Sequence, residues 1–566
     1  MISYIDILEK IENININSKK KIQIKYLTNF NEFKLHAYNE YFLKEKKIYS
    51  KTLKSNYDQI LQQLKNYKPK QNEILLLFNE INQYENINLP ELKKLILLQL
   101  NILNKIKIKF PSLEIIFFNL PFIFRKFPNL KKNIKEVKFI SNLNHTLSKE
   151  AKNNIHIFDY NKILNNIGYK NIYDFRNYYI SKSLLTDNAN YNIAKELSKL
   201  IYSIKNVKKK CLVLDLDNTL WGGILGEDGV KNIKLSNDYT GEIFLSFQKY
   251  IKTLSDNGVI LALCSKNNLK DVEECFKERK DLFLKFKDFS FKKINWKPKY
   301  QNINKISEEM NIGKDSIVFF DDSKFERDQM KKFNPEINVI EVPEDPHNYI
   351  NALDDSAFFY SNKDLTKEDL KKKHQYELIG KAKLLKDNFS DDDIDEYLKS
   401  LKMKIFLSSV NNNNFERSVQ MLNKINQFNL TTKRYSGSEF KSYLKNNKNF
   451  SLVIKVKDKF GNHGNVGLVT CIIKNKNLII DNFVLSCRVL GRKIENLILK
   501  EIENFGKQKK IEKIFGIYQK SKKNSQCKNF YIQNGFKKEN NNKFIFNINK
   551  NKINSKSFAK IIYETK

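Results

Sequence analysis

At 566 residues the chain exceeds what one hydrophobic core holds, and roughly three or four domains are expected. Hydrophobic residues make up 41% of it, enough for packed cores, and no apolar run reaches the ~18 residues of a membrane span. The net charge of +37 invites a polyanion partner, but the excess is lysine spread along an Asn- and Ile-rich chain, so compositional bias accounts for it better than nucleic-acid binding does. No signal-peptide pattern opens at Met1. The six cysteines form no CxxC, and the six histidines are scattered, so no zinc-type cluster is expected and a reduced, cytoplasmic setting fits.

Residues 1–206 alternate apolar strands (21–27, 73–78, 113–118, 156–158) with helical stretches such as 89–105, a βαβα pattern that predicts a parallel, flavodoxin-like sheet. The pattern is similar to the SGNH-hydrolase class. The residues of that chemistry are missing: Gly168 is the only glycine before Gly222, so no Gly-Asp-Ser elbow exists, and no histidine has an aspartate three residues before it. Thr28-Asn29, after the first strand, reads as a turn. This domain is expected to be non-catalytic, with a scaffold or docking role, and a helix over 191–204 leads out of it.

Residues 207–355 carry a second α/β pattern. The buried run Cys211-Leu-Val-Leu214 ends in Asp215 and Asp217, followed by Asn218 and Thr219. Two acids at the mouth of a buried strand need a partner ion or hydrogen bonds, and open α/β sheets bind ligands at such carboxyl ends. The connection Trp221-Gly-Gly-Ile-Leu-Gly-Glu-Asp-Gly229 reads as a short flap or hairpin. Helix 241–256, strand 259–264, helix 269–279, strand 289–294, helix 300–310 and strand 316–320 follow. The later strand ends offer Ser265-Lys266-Asn267 and Asp321-Asp322, while Lys299 opens a helix after Pro298. A lone aspartate after a strand is most often a helix cap; this convergence of carboxylates, hydroxyl and lysine is not explained by capping.

Those motifs resemble the haloacid-dehalogenase (HAD) phosphotransferases, and more narrowly the FkbH-like phosphatases of subfamily IIIC. The resemblance rests on Leu-Asp-Leu-Asp-Asn-Thr-Leu-Trp-Gly-Gly, Cys-Ser-Lys-Asn, Asn-Trp-Lys-Pro-Lys and Phe-Asp-Asp, and it implies a site. Asp215 is the implied nucleophile, forming an aspartyl-phosphate, and Asp217 the acid/base. Mg²⁺ is expected on Asp215, the Asp217 carbonyl and Asp321, with Asp322 in support. Ser265 and Lys299 would hold phosphoryl oxygens. Thr219 is read equally as a turn hydroxyl or a phosphate contact, and Ser323 stands where the family often has Asn. No cap domain of ~60 residues separates the motifs, so the phosphate site is expected to be open.

Residues 356–400 read as a charged helical linker and 401–550 as a further domain, with a basic tail over 551–566. Strand 403–407, helix 414–428, a meander of strands 451–456, 466–473 and 478–485, a helix running to 505 and strand 513–518 resemble the GNAT acyltransferase fold. Arg488-Val-Leu-Gly491-Arg492 is similar to the GNAT pyrophosphate loop, for the phosphate of coenzyme A or of a carrier's phosphopantetheine. Cys487 is either a small buried residue or, as the FkbH resemblance suggests, an acyl-carrying nucleophile whose thiol Arg488, Arg492 and the helix start would acidify. His463, on a Gly-flanked turn, reads as an exposed loop residue or as that thiol's base.

The resemblance implies a Mg²⁺-dependent phosphatase/acyltransferase that dephosphorylates a 1,3-bisphosphoglycerate-like donor and loads glyceryl as a thioester onto an acyl carrier protein. The alternatives are a HAD phosphatase joined to an acyl-CoA-dependent N-acyltransferase in surface-polysaccharide biosynthesis and, less favoured, a basic nucleic-acid-binding protein.

Overall fold

The computed structural model describes residues 3–14, 21–53, 55–56, 58–80, 88–122, 130–151, 155–168, 171–235, 239–361, 378, 394–486, 489–521, 524–553 and 558–564. The chain divides into two compact units, Met1–Lys209 with Pro343–Asp364, and Lys210–Val342 with Leu365–Lys566.

The first unit is built on strands β1 (Lys21–Thr28), β2 (Tyr49–Leu53), β3 (Glu73–Phe78), β4 (Glu114–Phe118) and β5 (Ile155–Phe158), all parallel in the order β2-β1-β3-β4-β5. That is the flavodoxin-like order. All six residues of β3 are buried, as helices on both faces require. The helix Leu89–Lys109 starts where Asn88 and Glu91 form a reciprocal cap with Pro90 beside it. The sequence reading misses β2, an edge strand whose Ser50, Lys51 and Thr52 carry no apolar run.

The expected domain boundary at 355 is displaced. The segment Pro343–Asp364 returns to the first unit, where Ala357 joins its core and Phe358 accepts a hydrogen bond from the Lys209 amide at 3.0 Å. The buried Lys199 ammonium lies 2.6 Å from Asp354 and 3.0 Å from Asp355.

The second unit holds two sheets. Strands β6 (Cys211–Leu214), β7 (Ile260–Ser265), β8 (Phe289–Ile294), β9 (Ile317–Phe320) and β10 (Asn338–Val339) form a parallel sheet ordered β10-β9-β6-β7-β8. β6 is central and fully buried, so its carboxyl end is flanked by those of β7 and β9. The Gly-rich connection is a helix, Leu225–Asn232, broken at Gly229 (φ 73°), rather than a hairpin. Among the described residues, the antiparallel pairing there is the single bridge Gly222–Lys234.

The carboxyl-terminal sheet comprises β11 (Met403–Ser408), β12 (Phe428–Asn429), β13 (Asn449–Asp458), β14 (Gly461–Lys474), β15 (Asn477–Leu485), β16 (Lys513–Ile517), β17 (Lys537–Lys538), β18 (Lys543–Asn547) and β19 (Ala559–Tyr563). Its path is β17-β18-β16-β15-β14-β13-β11-β19, an antiparallel meander followed by a helix, Ile494–Gln508, and the parallel strand β16. This is a GNAT-like topology. β15 and β16 pair only over Asn477–Ile479, and at Val484 and Leu485 the same edge of β15 is taken by β12. The stretch expected to be a basic tail supplies β19, parallel to β11. Its short alternation of Lys560 and Tyr563 with aliphatic residues hides it from a periodicity reading.

Candidate active site

The site stands at the carboxyl edge of the sheet built on β6. Lys299, buried at the start of the helix Lys299–Met310, donates to Asp215 Oδ2 and to Asp321 Oδ2, both at 2.7 Å. The other oxygen of Asp215 is buried and has no hydrogen-bond partner. Ligating oxygens of Asp215, Asp321 and Asp322 lie within 4.8 Å of one another. Burial lowers the Lys299 ammonium's pKa, but the Asp215 and Asp321 charges outweigh it and hold the group protonated. Burial, then the Asp215 charge, pushes Asp321 well above the carboxylate range and Asp322 to about 6.

Three hard-oxygen donors crowded beyond what one ammonium neutralises, with one oxygen left bare, fit a divalent cation of the Mg²⁺ type. Asp215, Asp321 and Asp322 would hold it.

Asp217 is fixed by three donors. Trp221 Nε1 and the Leu225 amide donate to Oδ1, each at 3.0 Å, and Asn267 Nδ2 donates to Oδ2 at 2.8 Å. Burial raises the Asp217 pKa against those bonds. The same Asn267 amide reaches the buried Ser265 hydroxyl at 3.3 Å. Thr219 donates to Asp322 Oδ1 at 3.4 Å, which places its hydroxyl on the acidic pair. Asp215, Asp217, Thr219, Ser265, Lys299, Asp321 and Asp322 are thus brought to one sheet edge.

Sequence reasoning named Asn267 as a strand-end residue without giving it a role, and it missed Arg327 altogether. Arg327 donates to the Asp321 and Asp322 carbonyls at 2.8 and 2.6 Å and so fixes the acidic turn. Its signal was its place in the first turns of the helix Lys324–Phe333, right after the acids.

In the carboxyl-terminal domain two expectations are corrected. His463 is no exposed loop residue: it lies fully buried in β14, 2.7 Å from Asp458 Oδ2. Arg492 is buried too and donates to the same oxygen at 2.6 Å, so its guanidinium is committed to an internal ion pair rather than offered to a phosphate. The helix begins only at Ile494, and Gly491 (φ 78°) is exposed with open space around it. Cys487 and Arg488 lie outside the described residues.

At the carboxyl end of β1, Thr28 donates to Glu32 at 2.6 Å, and Asn29 exchanges two hydrogen bonds with the Glu80 backbone. Both side chains hold the turn.

The fold and the carboxylate-lysine edge define an enzyme: its central domain is HAD-like and its carboxyl-terminal domain GNAT-like. No protein-family model matches the chain, and no curated protein matches it. Among solved structures it is similar to the N-terminal part of protein BF1531 from Bacteroides fragilis, which contains a phosphatase domain and is complexed with Mg. That likeness has 25% identity and a TM-score of 0.54, and it covers 64% of this chain and 100% of that one. The spermidine/spermine N-acetyltransferase SpeG of Vibrio cholerae (14% identity, TM-score 0.21, 26% of this chain and 95% of that one) also matches. So does the ribosomal-protein-S18-alanine N-acetyltransferase of Escherichia coli (8%, 0.20, 25% and 90%). Among the described residues no helix is long and apolar enough to cross a membrane.

Proposed function

We propose that the protein is a bifunctional enzyme of the FkbH type, which removes phosphate from a 1,3-bisphosphoglycerate-like donor and loads the glyceryl group onto an acyl carrier protein. The observation that carries the phosphoryl half is the buried Lys299 shared by Asp215 and Asp321 while Asp215 keeps one bare oxygen.

When bound by Asp215, Asp321 and Asp322, Mg²⁺ would neutralise phosphate charge and polarise the phosphoryl group. Asp215 attacks phosphorus with its free oxygen, forming an aspartyl-phosphate as the bond to the leaving oxygen breaks. Asp217, whose pKa burial raises, gives its proton to that oxygen, releasing the alcohol. The carboxylate left behind takes a proton from the water that hydrolyses the aspartyl-phosphate, so phosphate leaves and Asp217 is reset. Ser265 and Lys299 hold the phosphoryl oxygens, and Arg327 keeps the acidic turn in place.

The acyl half rests on the FkbH resemblance and the GNAT-like sheet. Cys487 would displace phosphate from the donor's acyl phosphate to form a thioester. The phosphopantetheine thiol of the carrier would then take the acyl group; coenzyme A is the alternative thiol. Incubation with donor and holo carrier protein, followed by mass spectrometry, should show a glyceryl adduct absent from Asp215→Asn. No adduct under metal-replete conditions overturns this reading. Unchanged acyl transfer in Cys487→Ala points instead to direct, GNAT-like transfer from acyl-CoA.

A further inference from the structure

The flap that follows Asp217 is held at both ends by one short stretch of chain, residues 279–285, which comes after the helix Leu269–Glu278. At the entry, Gln248 of the helix Tyr239–Asp256 is fully buried and donates to the Leu220 carbonyl at 2.7 Å. Its side-chain oxygen accepts the Phe283 and Leu284 amides, each at 3.0 Å. At the exit, Arg279 Nη1 donates to the Val230 and Ile233 carbonyls at 2.9 and 3.0 Å. These lie where the flap helix ends, and a helix leaves its last carbonyls without partners of its own.

The guanidinium that makes this clamp is itself aimed. Arg279 Nε and Nη2 donate to Asp281 Oδ1 and Oδ2 at 2.9 and 2.8 Å, a bidentate pair that fixes the plane of the fork and turns its remaining nitrogen to the flap. The flap helix, Leu225–Asn232, spans eight residues and is broken at Gly229. So short and interrupted a helix does not hold itself, and its position is set by what grips it from outside.

The other end of the same flap touches the chemistry. The Leu225 amide and Trp221 Nε1 both donate to Asp217 Oδ1 at 3.0 Å. Trp221 is in turn met edge-on by Phe276 of the helix Leu269–Glu278, with ring centroids 6.0 Å apart. Two of the three donors on Asp217 therefore belong to the flap and its lead-in, and both are braced by this helix and the stretch after it.

We infer that Arg279 is a positioning residue of the phosphoryl-transfer site. By clamping the far end of the flap it fixes the Leu225 amide, and through that amide it holds the Asp217 carboxyl where its proton reaches the leaving oxygen. The inference rests on the reading of Asp217 as proton donor.

Proton donation matters most where the leaving oxygen is a strongly basic alkoxide and least where it is a stabilised phenolate. The test compares kcat/KM for glycerol 2-phosphate with that for p-nitrophenyl phosphate, in the full chain with saturating Mg²⁺. The ratio of the two is taken within each preparation, so inactive protein cancels from it, and a loss of stability alone lowers both substrates equally. Arg279→Gln should cut the relative use of the alkyl phosphate about tenfold, and Asp217→Asn should cut it further. Arg279→Lys should lie between Arg279→Gln and the wild type, because a point charge reaches a flap carbonyl without the bidentate hold on Asp281. If Asp217→Asn shifts the ratio and Arg279→Gln stays within about twofold of the wild type, the Arg279 inference falls and the proton-donor reading stands. If Asp217→Asn leaves the ratio unchanged, both fall. Where Arg279→Gln does not fold, Asp281→Asn decides: it keeps the guanidinium and removes the carboxylate that aims it, so a shift in the same direction supports the inference and an unchanged ratio overturns it.

Discussion

Lys299 and Asp215 meet at 2.7 Å inside the sheet edge, with Asp321 at the same distance on the other side of the ammonium. Lys299→Met keeps the length of the side chain and removes its charge, leaving three crowded carboxylates without their ammonium. Turnover of p-nitrophenyl phosphate with saturating Mg²⁺ should fall roughly 10²–10³-fold. Lys299→Arg should not restore it, since a planar fork does not fit between two oxygens spaced for a point charge.

Asn267 is one of three donors on Asp217. If Asp217 carries the proton as proposed, Asn267→Ala should lower kcat about tenfold with little change in KM, because it releases the proton-transfer group rather than a binding group. Asn267→Asp should be worse, as it puts a second carboxylate against Asp217. Steady-state kinetics on the same small substrate decide both.

Gly223 adopts φ 96°, and a Cβ there would meet Asp228 Oδ2 at 2.4 Å. Gly223→Ala should therefore displace the flap, costing about 1–3 kcal/mol from backbone and contact together. The measurement is the thermal midpoint of the variant, read beside its phosphatase activity.

In the carboxyl-terminal domain, burial raises the Asp458 pKa, but its hydrogen bond to His463 and the His463 and Arg492 charges outweigh this and hold it down to about 2. A carboxylate depressed below its unfolded value of about 3.9 stabilises the fold above that pH and loses its contribution as pH falls towards 2. The contribution is roughly 2 kcal/mol. Asp458→Asn should be less stable than the wild type at neutral pH by about 3–5 kcal/mol, because Arg492 is left buried without its partner. The gap should narrow on acidification below pH ~4, as followed by urea unfolding at a series of pH values.

Much of the candidate site was legible because it sits where apolar runs stop: Asp215, Ser265 and Asp321 each follow, or end, a buried strand of the same sheet. The parallel order of the first unit followed from the same alternation, except at the polar edge strand β2. His463 was misread because its flanking glycines suggest a turn, whereas it is buried against Asp458, in the neighbouring strand, whose same oxygen also pairs with Arg492, 29 residues beyond His463. Local sequence carries no trace of so distant a partner. The flap was misread because four glycines in nine residues weaken helix propensity, yet Asp217 and Asp228 satisfy the amides of Leu225 and Ile224 at its start.

The return of Pro343–Asp364 to the first unit separates the order of synthesis from the order of folding. When the ribosome has finished Lys209, the positions that Lys199 and Lys46 bond, Asp354 and Asp355, do not yet exist. The sheet that carries Asp215 is translated in between, from Cys211 to Val339. The first unit therefore waits, with Lys199 paired to Glu196 alone and the seat of Ala357 bare, while a later domain is made. A nascent chain stalled near residue ~300, with residue 209 clear of the exit tunnel and the return segment not yet made, should thus be more open to protease in its first 209 residues than one stalled beyond residue ~400, once the return segment has cleared the tunnel.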